Sequence, residues 1–499
     1  MQPIRPDRRW PLFDIAGTRR IEQTAAAALP THALMQRAGL AVARLALAVA
    51  PHARTVWIAC GPGNNGGDGL EAALHLQRWG KAPWVTWTGK DGQTPPDAMA
   101  SLNRAREAGL SIVEALPPSW DLAVDALFGI GSARSAEGRL AEWIAAMNGG
   151  PAPVLAVDVP SGMDANRGTG TAVGATHTLS LLTLKPGLFT AQGRDAAGTI
   201  WFDDLGVAVD MKDAGPVALL SSDVAPTPRA HASHKGNYGD VAVIGGARGM
   251  AGAALLAGSA ALHGGAGRVF VGLLDEDALT VDSSQPELML RPWDSMDLAA
   301  MSVACGCGGG DAVRAALPGI LSTARALVLD ADALNAVAAD SQLQSQLRAR
   351  AARGRPTVLT PHPLEAARLL GASTATIQAD RLAAARDLAQ RFSCVAVLKG
   401  SGTVTASPGE LPVINFTGNA RLATAGTGDV LAGMIAARIV QGQGAFDAAV
   451  DAVHLHGQAA DRWPVDKVLT ASGLAAQCGS DGARLSRRAR NFMALEDPR

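Results

Sequence analysis

Short apolar runs alternate along the chain with longer stretches in which apolar positions recur every three or four residues. In the first half the runs lie at 55–60, 83–88, 122–128, 154–158 and 178–184. In the second half they lie at 240–244, 267–273, 301–304, 326–330, 356–359 and 394–398. Between them, residues 13–50, 70–79 and 251–262 carry helical periodicity. Strands alternating with helices predict an α/β protein with parallel sheets. The pattern weakens from about 206 to 230, where Pro216, Pro226 and Pro228 accompany Ser221-Ser222. The expected division is a first domain over 1–215, a linker over 216–230 and a second domain over 231–492.

Composition sharpens this. With 48% apolar residues in 499, the chain can bury two large cores. A net charge of -1 with no long basic run argues against nucleic acid as a partner. The five cysteines are odd in number and scattered, which excludes a disulfide framework. Cys305-Gly306-Cys307 has no second Cys/His cluster at zinc spacing, so reduced buried thiols are expected. The first ten residues lack an apolar signal segment, and the charge-free stretch 249–267 is too rich in glycine and alanine to span a membrane. A buried helix there, and a soluble cytoplasmic protein without membrane partners, are expected.

The chemistry-bearing residues gather at strand ends. Gly61-Pro62-Gly63-Asn64-Asn65-Gly66-Gly67-Asp68-Gly69 follows a strand and precedes a helix, the layout of a nucleotide site. It matches neither the dinucleotide fingerprint nor a phosphate loop ending in Gly-Lys-Ser/Thr. Its amides and carboxylate suit ribose hydroxyls, an amide or a cation. Asp125 and Asp158 lie near the carboxyl ends of apolar strands, where a carboxylate is costly unless paired or liganded. Lys185 follows another strand, where a surface charge at a turn is the plainer reading. In the second half, Gly426-Thr427-Gly428-Asp429 opens an apolar helix, an anion cradle with an acid in its first turn. His362 is held between Pro361 and Pro363. Lys399 to Thr403 places a cation and small polar residues after a strand, and Asp330 and Asp332 offer a metal site, a nucleotide contact or a helix cap.

Taken together, these motifs resemble the bifunctional NAD(P)H-hydrate repair enzymes. ALMQRAG, GPGNNGGDG, DALFGIG and AVDVPSGMD resemble the epimerase part; HKGNYG, VAVIGG, LDADALN, TPHPLE, VLKGSGT and TAGTGDVLAGM resemble the ADP-dependent dehydratase part. The resemblance implies a Rossmann-like three-layer domain followed by a ribokinase-like one. It implies that Asn64, Asn65, Gly66, Gly67 and Asp68, with Gly129, Ile130, Gly131, Ser132, Ala133, Arg134 and Ser135, contact the hydrated nucleotide. Asp158 would bind it too, acting with Lys185 on protons. Asn65, Asp125 and Ser161 would hold K+. In the second domain Ala253, Gly308, Gly310, His362 and Asp429 would contact the hydrate, with Asp429 as catalytic base. Lys399, Gly400, Ser401, Gly402, Thr403 and Gly428 would hold ADP, the co-substrate, with Mg2+. The implied substrates are the hydrates NADHX and NADPHX, and a homo-oligomer is expected. The sequence departs from the family at Ala425, where glycine is usual, and at Gly306-Cys307-Gly308-Gly309-Gly310, where Gly-Pro-Gly-Leu-Gly is usual. The alternatives are a ribokinase-like small-molecule kinase fused to a nucleotide-binding module, and a first domain that only binds.

Overall fold

A computed structural model describes residues 1–478, apart from 90–93, 132–136, 209–214, 226–227, 276 and 278. The chain forms two compact units: Met1–Arg5 with Trp10–Leu219, and Pro6–Arg9 with Leu220 onward.

The first unit is built on an eight-stranded sheet. Its order is Gln2–Pro3, Thr199–Asp203, His177–Leu181, Val154–Val157, Leu122–Ala126, Thr55–Cys60, Ala82–Trp87, Ile112–Val113. All pairings are parallel except the first, which is antiparallel. Side chains alternate between two cores: Val56, Ile58 and Cys60 on one face, Trp57 and Ala59 on the other. From Thr55–Cys60 the chain runs outward to Ile112–Val113, then returns to Leu122–Ala126 on the opposite side. That reversal makes a switch point between the two strands, with a crevice at their carboxyl ends.

Two helix boundaries differ from expectation. The stretch 13–50 is two helices, Ile15–Ala27 and Ala33–Val49. Pro30 lies in the break, and His32 takes a left-handed φ of 65°. The helix expected at 70 starts at Asn64 and runs to Arg78. Its glycines serve packing rather than loop flexibility. A Cβ on Gly66 would sit 1.9 Å from the Gly61 carbonyl oxygen, one on Gly67 2.5 Å from Met35 Sδ, and one on Gly69 2.7 Å from Ala126 Cβ. Within the stretch expected as a linker, Ala218–Leu220 is a strand antiparallel to Pro11–Leu12, with Ala218 and Leu220 buried.

In the second unit the strand order is Met289–Leu290, Arg268–Leu273, Asp240–Gly245, Ser302–Cys305, Ala326–Leu329, Thr357–Leu359, Val395–Leu398, all parallel, then Val404–Ala406 and Val413–Ile414, antiparallel. The helices Ala251–His263 and Thr427–Val440 share its core. They approach closely: a Cβ on Gly433 would lie 2.0 Å from the Ala257 carbonyl oxygen. Within the stretch 249–267 the helix is Ala251–His263, with Ala254, Ala257, Gly258, Ala260 and Ala261 buried and Gly252 and His263 exposed. No helix among the described residues is long and apolar enough to cross a membrane.

Candidate functional site

At the switch point of the first unit lies a cavity of about 490 Å³. Asn64, Asn65, Asp68, Gly129, Ile130, Gly131 and Asp158 line it, as do Thr18, Arg19, Glu22 and Asp97 from segments that carry no recognisable motif. Gly66 and Gly67 do not line it; they are buried against Gly61 and Met35. Ser132, Ala133, Arg134 and Ser135 lie outside the described residues.

Behind the cavity wall, Asp125 is fully buried at the end of its strand. Its carboxylate accepts from Ser161 Oγ at 2.5 Å, Ser161 N at 2.8 Å and Leu127 N at 3.2 Å. Burial pushes its carboxyl up to about 6, partly offset by the Ser161 bonds. The Phe128 carbonyl lies 3.3 Å from Ser161 Oγ. Asn65 is buried with its Nδ2 unpartnered, and a Cβ on Gly129 would be 3.5 Å from its Oδ1. The carboxylate, the hydroxyl and the carbonyl are oxygen donors of the kind a hard cation takes, and Asn65 Oδ1 lies beside Gly129 on the same side.

Asp158 adopts a left-handed φ of 67°, a conformation Asp and Asn tolerate best among non-glycine residues. That turn carries its carboxylate to the cavity, where Oδ1 accepts from Leu181 N at 3.1 Å and from Lys185 Nζ. Lys185 is no surface lysine. It is fully buried, and its ammonium also donates to the carbonyls of Leu181 and Thr183, both at 2.9 Å. Desolvation is tolerable because each N–H finds an acceptor. Asp68 is held well above the usual carboxylate range by burial and by Asp158, and Glu22 is raised by the same two causes.

The second cluster gathers where four parallel strands end and the helix Thr427–Val440 begins. Lys399 Nζ donates to Asp330 Oδ1 at 2.6 Å, and Thr360 Oγ1 to the same oxygen at 2.9 Å. Gly428 leaves room over this pair: a Cβ there would lie 3.3 Å from Lys399 Nζ. Asp429 occupies the first helical turn, as its sequence context implies. Burial and then Asp330 push its carboxyl up to about 6. One ligand atom from each of Cys307, Asp330 and Asp429 lies within 4.8 Å of the others. The Cys307 thiol is raised well above its usual range, by burial and then Asp429, so it stays protonated beside these acids. The two carboxylates supply the oxygen donors Mg2+ prefers when phosphates complete its shell.

His362 caps the helix Pro363–Leu370. Its Nδ1 accepts from Leu364 N at 3.1 Å and Glu365 N at 3.4 Å, which puts the ring proton on Nε2, 3.2 Å from Glu365 Oε1. Glu365 Oε2 accepts the His362 backbone N–H at 2.8 Å. Burial and then Lys399 lower the His362 pKa. Ala253 and Gly308 meet, since a Cβ on Gly308 would be 2.9 Å from Ala253 Cβ. Gly310 N donates to Asp332 Oδ2 at 2.8 Å. Gly400 and Gly402 take φ values of 135° and 62° in the turn after Lys399, with Ser401 exposed and Thr403 Oγ1 donating to the Gly400 carbonyl. The buried Arg381 supports this turn through the carbonyls of Leu398 and Lys399.

A family model described as YjeF-related protein N-terminus matches residues 31–187, and one described as NAD(P)H-hydrate dehydratase matches 241–478. A bifunctional NAD(P)H-hydrate repair enzyme from Escherichia coli is 38% identical over 481 residues, covering 91% of this chain and 90% of its own. The chain belongs to the bifunctional NAD(P)H-hydrate repair enzymes. Another such repair enzyme, from Coxiella burnetii, is 35% identical across 90% of this chain and 94% of its own. An ADP-dependent (S)-NAD(P)H-hydrate dehydratase from Neisseria meningitidis is 47% identical over 242 residues, covering 47% of this chain and 80% of its own. A solved ADP/ATP-dependent NAD(P)H-hydrate dehydratase from Bacillus subtilis, co-crystallised with ATP and Mg2+, is 29% identical, covers 53% of this chain and 94% of its own, and has a TM-score of 0.42. Its family carries two activities, NAD(P)H-hydrate epimerisation and ADP-dependent dehydration, and the dehydratase model falls on the second unit.

Proposed function

We propose that the two clusters carry the two repair steps on NADHX and NADPHX, each with its own set of residue roles. In the first unit the hydrated nicotinamide ring enters the cavity beside Asn64, Asn65, Asp68 and the turn Gly129 to Gly131. Asp158 exchanges a proton with the ring hydroxyl or the water that replaces it, while Lys185 holds that carboxylate in place. Asn65, Asp125 and Ser161 would hold K+, which would supply positive charge beside the buried Asp125 carboxylate.

In the second unit Asp429 takes the proton of the ring hydroxyl, and that oxygen attacks the terminal phosphoryl group of ADP. AMP departs, the ring nitrogen's lone pair expels phosphate, and a proton leaves the neighbouring carbon to restore the dihydronicotinamide. N–H groups of the first turn at Gly428 and Asp429 stabilise the transferring group, and Lys399 to Thr403 hold the nucleotide. Mg2+, which Asp330 would help to hold together with the phosphates, would neutralise developing phosphate charge. His362, Ala253, Gly308 and Gly310 bound the hydrate pocket. A homo-oligomer acting in the cytoplasm is part of this reading. The observation that carries it is Asp429 in a helix first turn, with its carboxyl raised and the Lys399–Asp330 pair alongside.

The test follows both epimers with and without ADP. Asp429→Ala is expected to abolish ADP-dependent loss of the S hydrate and leave epimer exchange intact. Near-normal dehydration by that variant would sink the assignment. A small-molecule kinase would instead phosphorylate an alcohol with ATP and leave the hydrate unchanged.

A further inference from the structure

The first helix brings to the epimerase cavity an acid that no motif marks. Ile15–Ala27 is capped by Asp14, whose carboxylate accepts from Gly17 N at 2.6 Å. Asn166 Oδ1 accepts the Ile15 N–H at 2.9 Å. Thr18 Oγ1 and Thr183 Oγ1 share a hydrogen bond of 2.8 Å, both buried. Phe13 N donates to the Leu184 carbonyl at 2.8 Å. The helix is therefore pinned at several points, two of them on the segment that carries Lys185. Thr18, Glu22 and Ala26, spaced four apart, form one helix face, and all three line the cavity. Glu22 thus faces the same space as Asp158, from a different wall.

We propose that Glu22 is a catalytic residue of the epimerase, the acid that protonates the departing ring hydroxyl. This rests on the reading of the cavity as the epimerase site. The carboxylic acid gives its proton to the hydroxyl oxygen. The carbon–oxygen bond breaks with its electrons on oxygen, and the ring nitrogen's lone pair forms a carbon–nitrogen double bond. Water leaves. A water then adds to the other face of the ring, and its proton returns to Glu22, directly or by way of Asp158. One water leaves and one returns, the protons balance, and nothing is oxidised or reduced.

The surroundings keep Glu22 ready to donate. Burial raises its carboxyl above the usual range, Asp158 and Asp97 raise it further, and Lys185 and Arg19 oppose them. Asp68 is raised in part by Glu22 itself. General acid catalysis of this kind contributes about 10²–10⁴-fold.

The experiment uses the full chain and pure R hydrate without ADP, after subtracting the uncatalysed exchange. Glu22→Gln should slow epimerisation about 100-fold or more. ADP-dependent dehydration of S hydrate by the same molecule should stay within about twofold, and unchanged tryptophan fluorescence should show the first unit folded. Glu22→Asp should recover part of the rate. The wild-type profile should fall on the alkaline side as the acid ionises, and Glu22→Gln should lose that limb. Glu22→Gln keeping a third or more of the rate overturns the proposal, as does an alkaline limb that survives the substitution. A wild-type chain with no epimerase activity would instead overturn the reading of the cavity.

Discussion

Gly66 separates two explanations of the glycine-rich segment. As part of a flexible loop it would accept alanine with little effect on folding. Inside the helix Asn64–Arg78, its Cβ would lie 1.9 Å from the Gly61 carbonyl oxygen, a backbone atom that cannot rotate away. Carbon–oxygen contacts settle at about 3.3–3.6 Å, so the backbones must part by about 1.4 Å. Gly61 has no room to retreat: its N–H bonds the Ala126 carbonyl at 2.9 Å, and its own Cβ would strike the Leu127 carbonyl at 1.7 Å. Overpacking costs about 1–3 kcal/mol and sometimes more, against a gain of about 1 kcal/mol from replacing glycine within a helix. We expect Gly66→Ala to destabilise the first unit by about 2 kcal/mol, lowering its midpoint by about 4–8 °C. Gly63→Ala is the control, since nothing lies within 4 Å of a Cβ there and its φ is -99°. It should change stability by less than about 0.5 kcal/mol. Tryptophan fluorescence during urea unfolding reads mainly the first unit, which carries Trp10, Trp57, Trp79, Trp84, Trp87, Trp120, Trp143 and Trp201. Equal midpoints for wild type and Gly66→Ala, or equal losses in both variants, would refute the packing argument.

Three further outcomes are expected. With Asp429 as the proposed base, dehydratase kcat/KM should fall as pH drops below about 6; Cys307→Ala, which removes a hydrogen bond that lowers this pKa, should move the limb upward in a pH–rate profile. Glu365, nearly buried, has its carboxyl raised from 4.5 to about 7, chiefly by burial. The folded state therefore binds its proton more tightly than the unfolded chain. The stability it contributes is present below about 4.5 and is lost as pH rises to about 7, amounting to about 3 kcal/mol. Glu365→Gln should remove that part of the pH dependence from the second unit's unfolding curve, and an unchanged slope would contradict it. K+ at about 100 times its dissociation constant should stabilise the first unit by about 2.7 kcal/mol, and Asp125→Asn should abolish the increment in a denaturation series against salt. Equal stabilisation of both proteins would count against Asp125 as a ligand.

The sequence pattern makes the alternation of strands and helices legible because each buried parallel strand is a short apolar run. Asp429 is legible for a local reason: a glycine pair, an acid and an apolar run make a helix start. The early start at Asn64 is hidden, because the glycines clustered there have poor helix propensity and only tertiary contacts with Gly61, Met35 and Ala126 reveal why they are there. Lys185 is hidden for a related reason. Its burial depends on carbonyls at Leu181 and Thr183 that periodicity cannot aim. Glu22 carries no signal beyond its spacing from Thr18, since an acid on an alanine-rich helix ordinarily faces water. Asp330 is visible as an acid at a strand end, but its pairing with Lys399 spans 69 residues.

The left-handed turn at Asp158 constrains this position in two ways at once. Charge alone would admit glutamate, and backbone freedom alone would admit glycine. A side chain that is anionic, short enough to meet Lys185 Nζ and at ease with φ of 67° narrows the choice to aspartate, with asparagine as its neutral counterpart. In a mutational library this site should behave as a two-letter alphabet for folding and a one-letter alphabet for epimerisation.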